Sequence, residues 1–212
     1  MPGFFISFEG PDGSGKSSVL AQLAPRWEKE MQAPLLLTRE PGGSRIAEKI
    51  RQLILDPATP EMTSRTEALL YAAQRAQHLH DDVLPALDRG EVVISDRFVD
   101  SSLAYQGAGR QLGVKEVADL NRFATGGLQP DLTILFMVEP EIGLARIEKE
   151  RPGAEDRLEQ EKLAFHERVY AEYLALAQKE PDRIKLIDAS RPLAQVVAEC
   201  DQLLHQCAPQ LF

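Results

Sequence analysis

The chain has 212 residues, 43% of them hydrophobic and 27% charged, with 24 Lys and Arg against 33 Asp and Glu for a formal net charge of −9. That length suits one ordinary domain of roughly 100–200 residues, and the balance excludes whole-chain disorder, collagen and coiled coil. The acidic surplus argues against nucleic acid or an anionic membrane as a partner, because both need a basic face.

Short apolar, β-rich runs alternate along the chain with longer segments of helical period. In order, the pattern predicts strand 4–9, helix 16–31, strand 35–38, helices 44–55 and 65–89, strand 92–95 and helix 114–125. Strand 132–138, helices 141–150 and 158–179, strand 184–188 and helix 193–206 complete it. Strands that read as unbroken apolar runs are covered on both faces, which predicts a parallel sheet. The alternation of strands and helices predicts a doubly wound α/β fold with right-handed crossovers. Segment 56–62 carries two prolines, and segment 151–157 combines Pro152-Gly153 with four charges, so both read as loops. No linker divides the chain, and residues 1–212 are expected to form one domain.

Cys200 and Cys207 are the two cysteines. Seven residues apart on one helix, they stand roughly 10 Å apart, too far for a disulfide. No apolar run approaches the ~20 residues that span a bilayer, and the N-terminus does not read as a signal peptide. The expected location is the cytoplasm.

The segment Gly10-Pro11-Asp12-Gly13-Ser14-Gly15-Lys16-Ser17-Ser18 fits the phosphate-binding pattern G-x-x-x-x-G-K-[ST]. Its glycines let successive N–H groups turn inward on phosphate oxygens. The lysine reaches the β- and γ-phosphates, and the Ser17 hydroxyl suits Mg²⁺. A strand before the loop and a helix after it supply the required context, with the positive helix end facing the anion. Asp96-Arg97-Phe98 follows directly on strand 92–95. Asp96, at the end of a strand neighbouring the loop, is placed to organise Mg²⁺, and Arg97 to sit between two phosphate sites. His78 and His80, at i and i+2, do not share a helix face, so they do not read as a metal pair.

Further blocks make the pattern more specific: Thr38-Arg39-Glu40-Pro41-Gly42-Gly43, Tyr71-Ala72-Ala73-Gln74-Arg75, and Ser101-Ser102-Leu103-Ala104-Tyr105-Gln106-Gly107. Pro130-Asp131-Leu132 and Asp156-Arg157-Leu158-Glu159 continue the series. With Glu9-Gly10 and Asp96-Arg97-Phe98, and in this order, they resemble the bacterial thymidylate kinases along essentially the whole chain. The resemblance implies a P-loop NTPase-type three-layer α/β/α fold with a five-stranded parallel sheet and a lid at about 149–157. It also implies a homodimer and transfer of phosphate from ATP, with Mg²⁺, to dTMP.

The resemblance assigns roles residue by residue. Lys16, Arg97 and Asp96 would be catalytic, joined by a lid cation, either Lys149 or Arg151. Arg97 and Arg51 would hold the phosphate of dTMP, Asp12 the sugar 3′-hydroxyl, and Arg75 the base, on which Tyr71 stacks. Glu40, Ser102 and Gln106 would belong to the same pocket, with Pro41 near the thymine methyl and Tyr105 crowding the 2′ position of the sugar. Arg146 would lie against the adenine. The rivals are another nucleoside monophosphate kinase, such as an adenylate or guanylate kinase, and a GTP-driven switch. The switch needs an Asn-Lys-x-Asp type guanine reader, which Asn121-Arg122 does not make.

Overall fold

The computed structural model describes residues 3–153 and 155–212. Five strands form one wholly parallel sheet: β1 (Phe4–Glu9), β2 (Leu35–Arg39), β3 (Val92–Asp96), β4 (Leu132–Met137) and β5 (Ile184–Asp188). Their spatial order is β2-β3-β1-β4-β5. The chain leaves β1 toward one edge and later crosses to the other, so the crevice beyond the end of β1 is the switch point where doubly wound folds bind ligands.

Burial follows position in the sheet. The central strands β1, β3 and β4 are almost wholly covered, whereas at the edges β2 is half-buried to exposed throughout and β5 mixes buried with open positions. On one face, Ile6, Phe8, Ile94, Ile134 and Phe136 pack with Val19 and Trp27 of α1 (Lys16–Glu30) and with Val196, Cys200 and Leu204 of α9 (Leu193–Cys207). Trp27 Nε1 donates to Asp201 at 3.0 Å, tying these two helices together. The other face carries two smaller apolar clusters. Phe5, Val93 and Phe98 meet Leu79 and Val83. Leu135, Met137 and Ile184 meet Tyr105, Phe165, Val169 and Tyr173. Helices on both faces of a parallel sheet make the expected three layers.

The helices differ from the sequence reading in three places. The stretch expected as one helix over 65–89 is α3 (Ser64–His78), a π turn (Leu79–Val83) and α4 (Leu84–Asp88). Pro85 has no N–H and its ring crowds the carbonyl four residues back; one wide turn, in which Leu84 N–H bonds the Leu79 carbonyl, absorbs the defect. Residues 99–109, given no element from sequence, are helical: α5 (Val99–Ser102) runs into a π turn (Leu103–Gly109). Glycines and serines obscure the helical period there. The segment is wedged so tightly that a Cβ on Gly109 would stand 2.7 Å from the Phe165 ring. The helix expected from 158 begins at Leu163 as α8 (Leu163–Lys179). The Asp156 carboxylate accepts the N–H groups of Leu158 and Glu159, at 2.9 and 3.0 Å, and closes a separate turn.

The remaining helices are α2 (Arg45–Leu55), α6 (Val114–Thr125) and α7 (Pro140–Glu150). Cys200 is buried and Cys207 exposed, both as free thiols. Among the described residues no helix is long and apolar enough to cross a membrane.

Candidate active site

β1 ends in the glycine-rich loop, and α1 begins at Lys16, with Gly15 before it in the left-handed conformation at φ 84°. Gly13, at φ 71°, lies against a second glycine: a Cβ there would fall 2.1 Å from the Gly143 carbonyl oxygen. The loop therefore packs backbone to backbone on α7. No acidic side chain occupies the first turn of α1, which leaves its positive end open to an anion.

Lys16 is buried and folds back onto the loop, donating to the Gly10 and Pro11 carbonyls at 3.1 and 3.3 Å and to Ser14 Oγ at 3.2 Å. Burial, reinforced by the positive charge of Arg97, lowers its pKa to about 8. Ser17 Oγ donates to Asp96 Oδ2 at 3.0 Å. The other Asp96 oxygen, Oδ1, is buried without a partner.

Arg97 stands just past β3 in the left-handed conformation, at φ 74°. One guanidinium nitrogen, Nη1, donates to Gly10 O and to Ser101 Oγ, each at 3.0 Å; the other, Nη2, meets Asp12 Oδ1 at 2.6 Å. Tyr105 donates from its hydroxyl to Asp12 Oδ2 at 2.8 Å, and its ring lies under the Arg97 guanidinium at 5.0 Å. Burial alone would raise the Asp12 pKa, but Arg97 and Lys16 outweigh it and hold the carboxyl below its ordinary value.

A cleft of about 490 Å³ runs from this cluster across to α2 and α3. Glu40, Pro41, Arg51, Tyr71, Arg75, Ser102, Tyr105 and Gln106 all line it. Arg75 is almost wholly buried, at 1% exposure. Its Nε donates to Glu40 Oε2 at 2.6 Å, Nη1 to Ser102 Oγ at 3.0 Å and to Asn121 Oδ1, and Nη2 to the Phe98 carbonyl at 3.0 Å. A guanidinium has five N–H donors; four are committed to the protein, so one remains for the cleft.

Glu40 is engaged on both oxygens, by Arg75 and by His78 Nδ1 at 2.9 Å. Burial opposes its charge, yet these two partners keep its pKa lowered. Glu40 thus ties Arg75 and His78 together at the wall of the cleft. His78, which had no assigned role, is the buried link from Glu40 to Thr38 Oγ1, 2.6 Å from Nε2. Arg51 is half-buried and donates to the Pro41 carbonyl at 2.7 Å. Gln106 donates its amide to the buried Glu67 at 2.9 Å.

The two cations expected on a lid separate clearly. Arg151 lines the cleft and pairs with Glu159 at 2.5 Å. Lys149 is exposed and lies outside the cleft wall. Arg157 is anchored elsewhere, on Glu67 at 2.6 Å and on the Ile54 carbonyl at 2.9 Å. Within the expected lid, Ala154 falls outside the described residues. Arg146, also outside the cleft wall, reaches Gly13 O at 3.2 Å and Ala189 O at 3.0 Å, on the far side of the loop. Arg39, Asp156 and Glu159 line the cleft but had no assigned role. Their one sequence signal was membership of the Arg-Glu-Pro-Gly-Gly and Asp-Arg-Leu-Glu blocks.

No group of three or more His, Cys, Asp or Glu side chains able to hold a metal occurs among the described residues. Mg²⁺ rarely needs such a cage, since it keeps waters and shares substrate phosphates. A hydroxyl at Ser17 beside an unpartnered carboxylate oxygen at Asp96 is the hard-oxygen donor set that suits it.

A family model described as thymidylate kinase matches residues 8–200. Over the full length of both chains, the sequence is 58% identical to a protein named thymidylate kinase from Lactobacillus delbrueckii subsp. bulgaricus. Proteins of the same name from Lactobacillus helveticus and Enterococcus faecalis are 55% and 53% identical, again over the whole of each chain.

Proposed function

Because the chain belongs to the thymidylate kinase family, we propose that the cleft carries out ATP + dTMP → ADP + dTDP and that its two ends hold the two nucleotides. One observation carries the assignment of ends: the phosphate loop and the Arg75 pocket open into one cleft, with Arg97 between them. The acceptor phosphate is already an oxyanion, so no strong general base is required. Catalysis becomes alignment of two polyanions and cancellation of their charge.

Lys16 leaves its carbonyl partners for the β- and γ-phosphates of ATP, and the new anion restores its preference for the charged form. Arg97 and Arg51, with Arg39 beside them, face the acceptor phosphate. Asp12, gripped by Arg97 and Tyr105, stands where the sugar 3′-hydroxyl is expected. The Tyr105 ring forms the wall at the 2′ position. Tyr71 supplies a flat surface for the base and Arg75 its one remaining donor. Arg151 exchanges Glu159 for the transferred group, and residues 149–157 act as the lid of a single domain. Mg²⁺ bound with ATP would be held by Ser17 and Asp96 and would neutralise phosphate charge.

The same reading includes a homodimer in the cytoplasm. The dimer is supported by apolar exposure on three helices of one layer: Leu53 on α2, Leu69 on α3 and Phe123 on α6, the last 90% exposed. A coupled assay of ADP release, with ATP and a panel of nucleoside monophosphates, tests the reaction. dTMP is expected to be the preferred acceptor by a wide margin; preference for an adenine or guanine monophosphate would overturn the assignment.

A further inference from the structure

Glu9 is the last residue of β1, wholly buried, and is not among the residues that line the cleft. A carboxylate in that position has to be explained by what it holds. Its Oε1 accepts the backbone N–H of Phe98 at 2.7 Å. Its Oε2 accepts the Ser101 hydroxyl at 2.6 Å and the Tyr173 hydroxyl at 3.1 Å. All three partners lead to Arg97.

Phe98 is the next residue in the chain, so Oε1 fixes the peptide on the C-terminal side of Arg97. The left-handed backbone there costs about 1–3 kcal/mol in a residue with a side chain. It is held from three directions: Arg97 N–H to Phe8 O at 2.9 Å, Ser95 Oγ to Arg97 O at 2.7 Å, and Glu9 on the peptide beyond. Ser101 and Tyr173 address the other end of the side chain. Each hydroxyl has one proton and gives it to Glu9, which leaves its lone pairs facing Arg97 Nη1, at 3.0 and 3.3 Å.

We propose that Glu9 is a positioning residue that sets both the backbone and the guanidinium of Arg97 for phosphate binding, acting through Phe98, Ser101 and Tyr173. This rests on the reading of Arg97 given above and adds a residue to it. The carboxylate must be ionised, because a protonated Glu9 would donate toward Oγ or Oη and turn a hydroxyl proton toward the cation. Burial, together with the charge of Asp100, raises the Glu9 pKa to about 7, against the Ser101 hydrogen bond and the charge of Arg97. The charged neighbours are Lys16 from the loop, Arg97 and Asp100 after β3, and, behind Asp100, Arg183, which pairs with it at 2.7 Å. The titratable hydroxyl of Tyr173 faces it from α8.

The test is a double-mutant cycle with Glu9→Gln and Arg97→Ala, reading kcat for dTMP at saturating ATP. Glu9→Gln is expected to lower kcat about 10²-fold, the scale of a misplaced reacting group, with KM for ATP unchanged. In the Arg97→Ala background it is expected to have no further effect. The ratio of wild-type to Glu9→Gln kcat should also shrink toward unity as pH falls from about 8 to about 5.5. A ratio flat with pH, or an equal loss in the Arg97→Ala background, overturns the proposal. Should Glu9→Gln not fold, Tyr173→Phe replaces it in the cycle. An expected loss of about tenfold, from one hydrogen bond to a charged group, is again confined to chains that retain Arg97. An unchanged kcat overturns the idea. A wild-type enzyme that ignores dTMP would defeat the proposed function instead, so the two failures are distinct.

Discussion

Arg75 and Arg151 line the same cleft and are held in opposite ways. Arg75 is 1% exposed and spends four donors on Glu40, Ser102, Asn121 and Phe98. Arg151 has half its side chain in solvent and a single acidic partner, Glu159. A side chain fixed that completely cannot follow a reaction, but it can judge a flat heterocycle at little entropic cost. A side chain held by one exposed pair can exchange that partner for a phosphoryl group, since such a pair is worth only about 0–1 kcal/mol. The Arg75 end of the cleft is therefore fixed, and the Arg151 end is adjustable.

The largest expected effect lies at the phosphate loop. Lys16→Ala should lower turnover at least ~10³-fold with the fold retained, since nothing else in the loop supplies charge to the β- and γ-phosphates. Near-normal turnover in a coupled assay would remove the donor site from the account. Arg151→Ala comes next, with kcat lowered at least ~10²-fold, a discounted value for an arginine finger, whereas Lys149→Ala should leave it unchanged. Equal losses from both would show that the lid delivers charge as a diffuse patch.

Tyr105→Ala should narrow the preference for deoxyribose over ribose monophosphate by roughly 1–3 kcal/mol. An unaltered ratio of kcat/KM for the two sugars would reduce Tyr105 to a support for Asp12. A smaller effect concerns pH. Lys16 is charged below its pKa of about 8 and neutral above it, so kcat/KM for ATP should fall as pH rises through that value, by about tenfold per further unit. A flat profile to pH 10 would mean that the folded-back lysine keeps its proton without phosphate.

The contiguous parts were the easier to read in the sequence. The phosphate loop is a contiguous pattern between a strand and a helix, and Pro152-Gly153 with its charges reads as a loop, which the resemblance implies is a lid. The fixed parts depend on pairs far apart in the chain. Glu40 meets Arg75 across 35 residues, and Glu9 meets Phe98, Ser101 and Tyr173 across 89, 92 and 164. No local period reports such pairs, so the contact between Glu40 and Arg75 could not be read from the sequence, and Glu9 was only part of a strand and of a matching motif. The helical stretch 99–109 escaped for a related reason: its glycines suit close packing against α6 and α8 and carry no helical signal of their own.

The division of labour is tested most directly by measuring kcat and KM for dTMP side by side in Arg75→Lys and Arg151→Ala. Lysine at position 75 keeps a cation for the buried Glu40 but loses the planar fork, which avoids stranding a carboxylate at a cost of about 3–5 kcal/mol. Arg75→Lys should raise KM for dTMP about tenfold or more, the loss of one charge-assisted hydrogen bond, with kcat nearly unchanged. Arg151→Ala should do the reverse. If both substitutions changed the same constant by similar factors, the two ends of the cleft would not be distinct in function, and the account would be wrong at its centre.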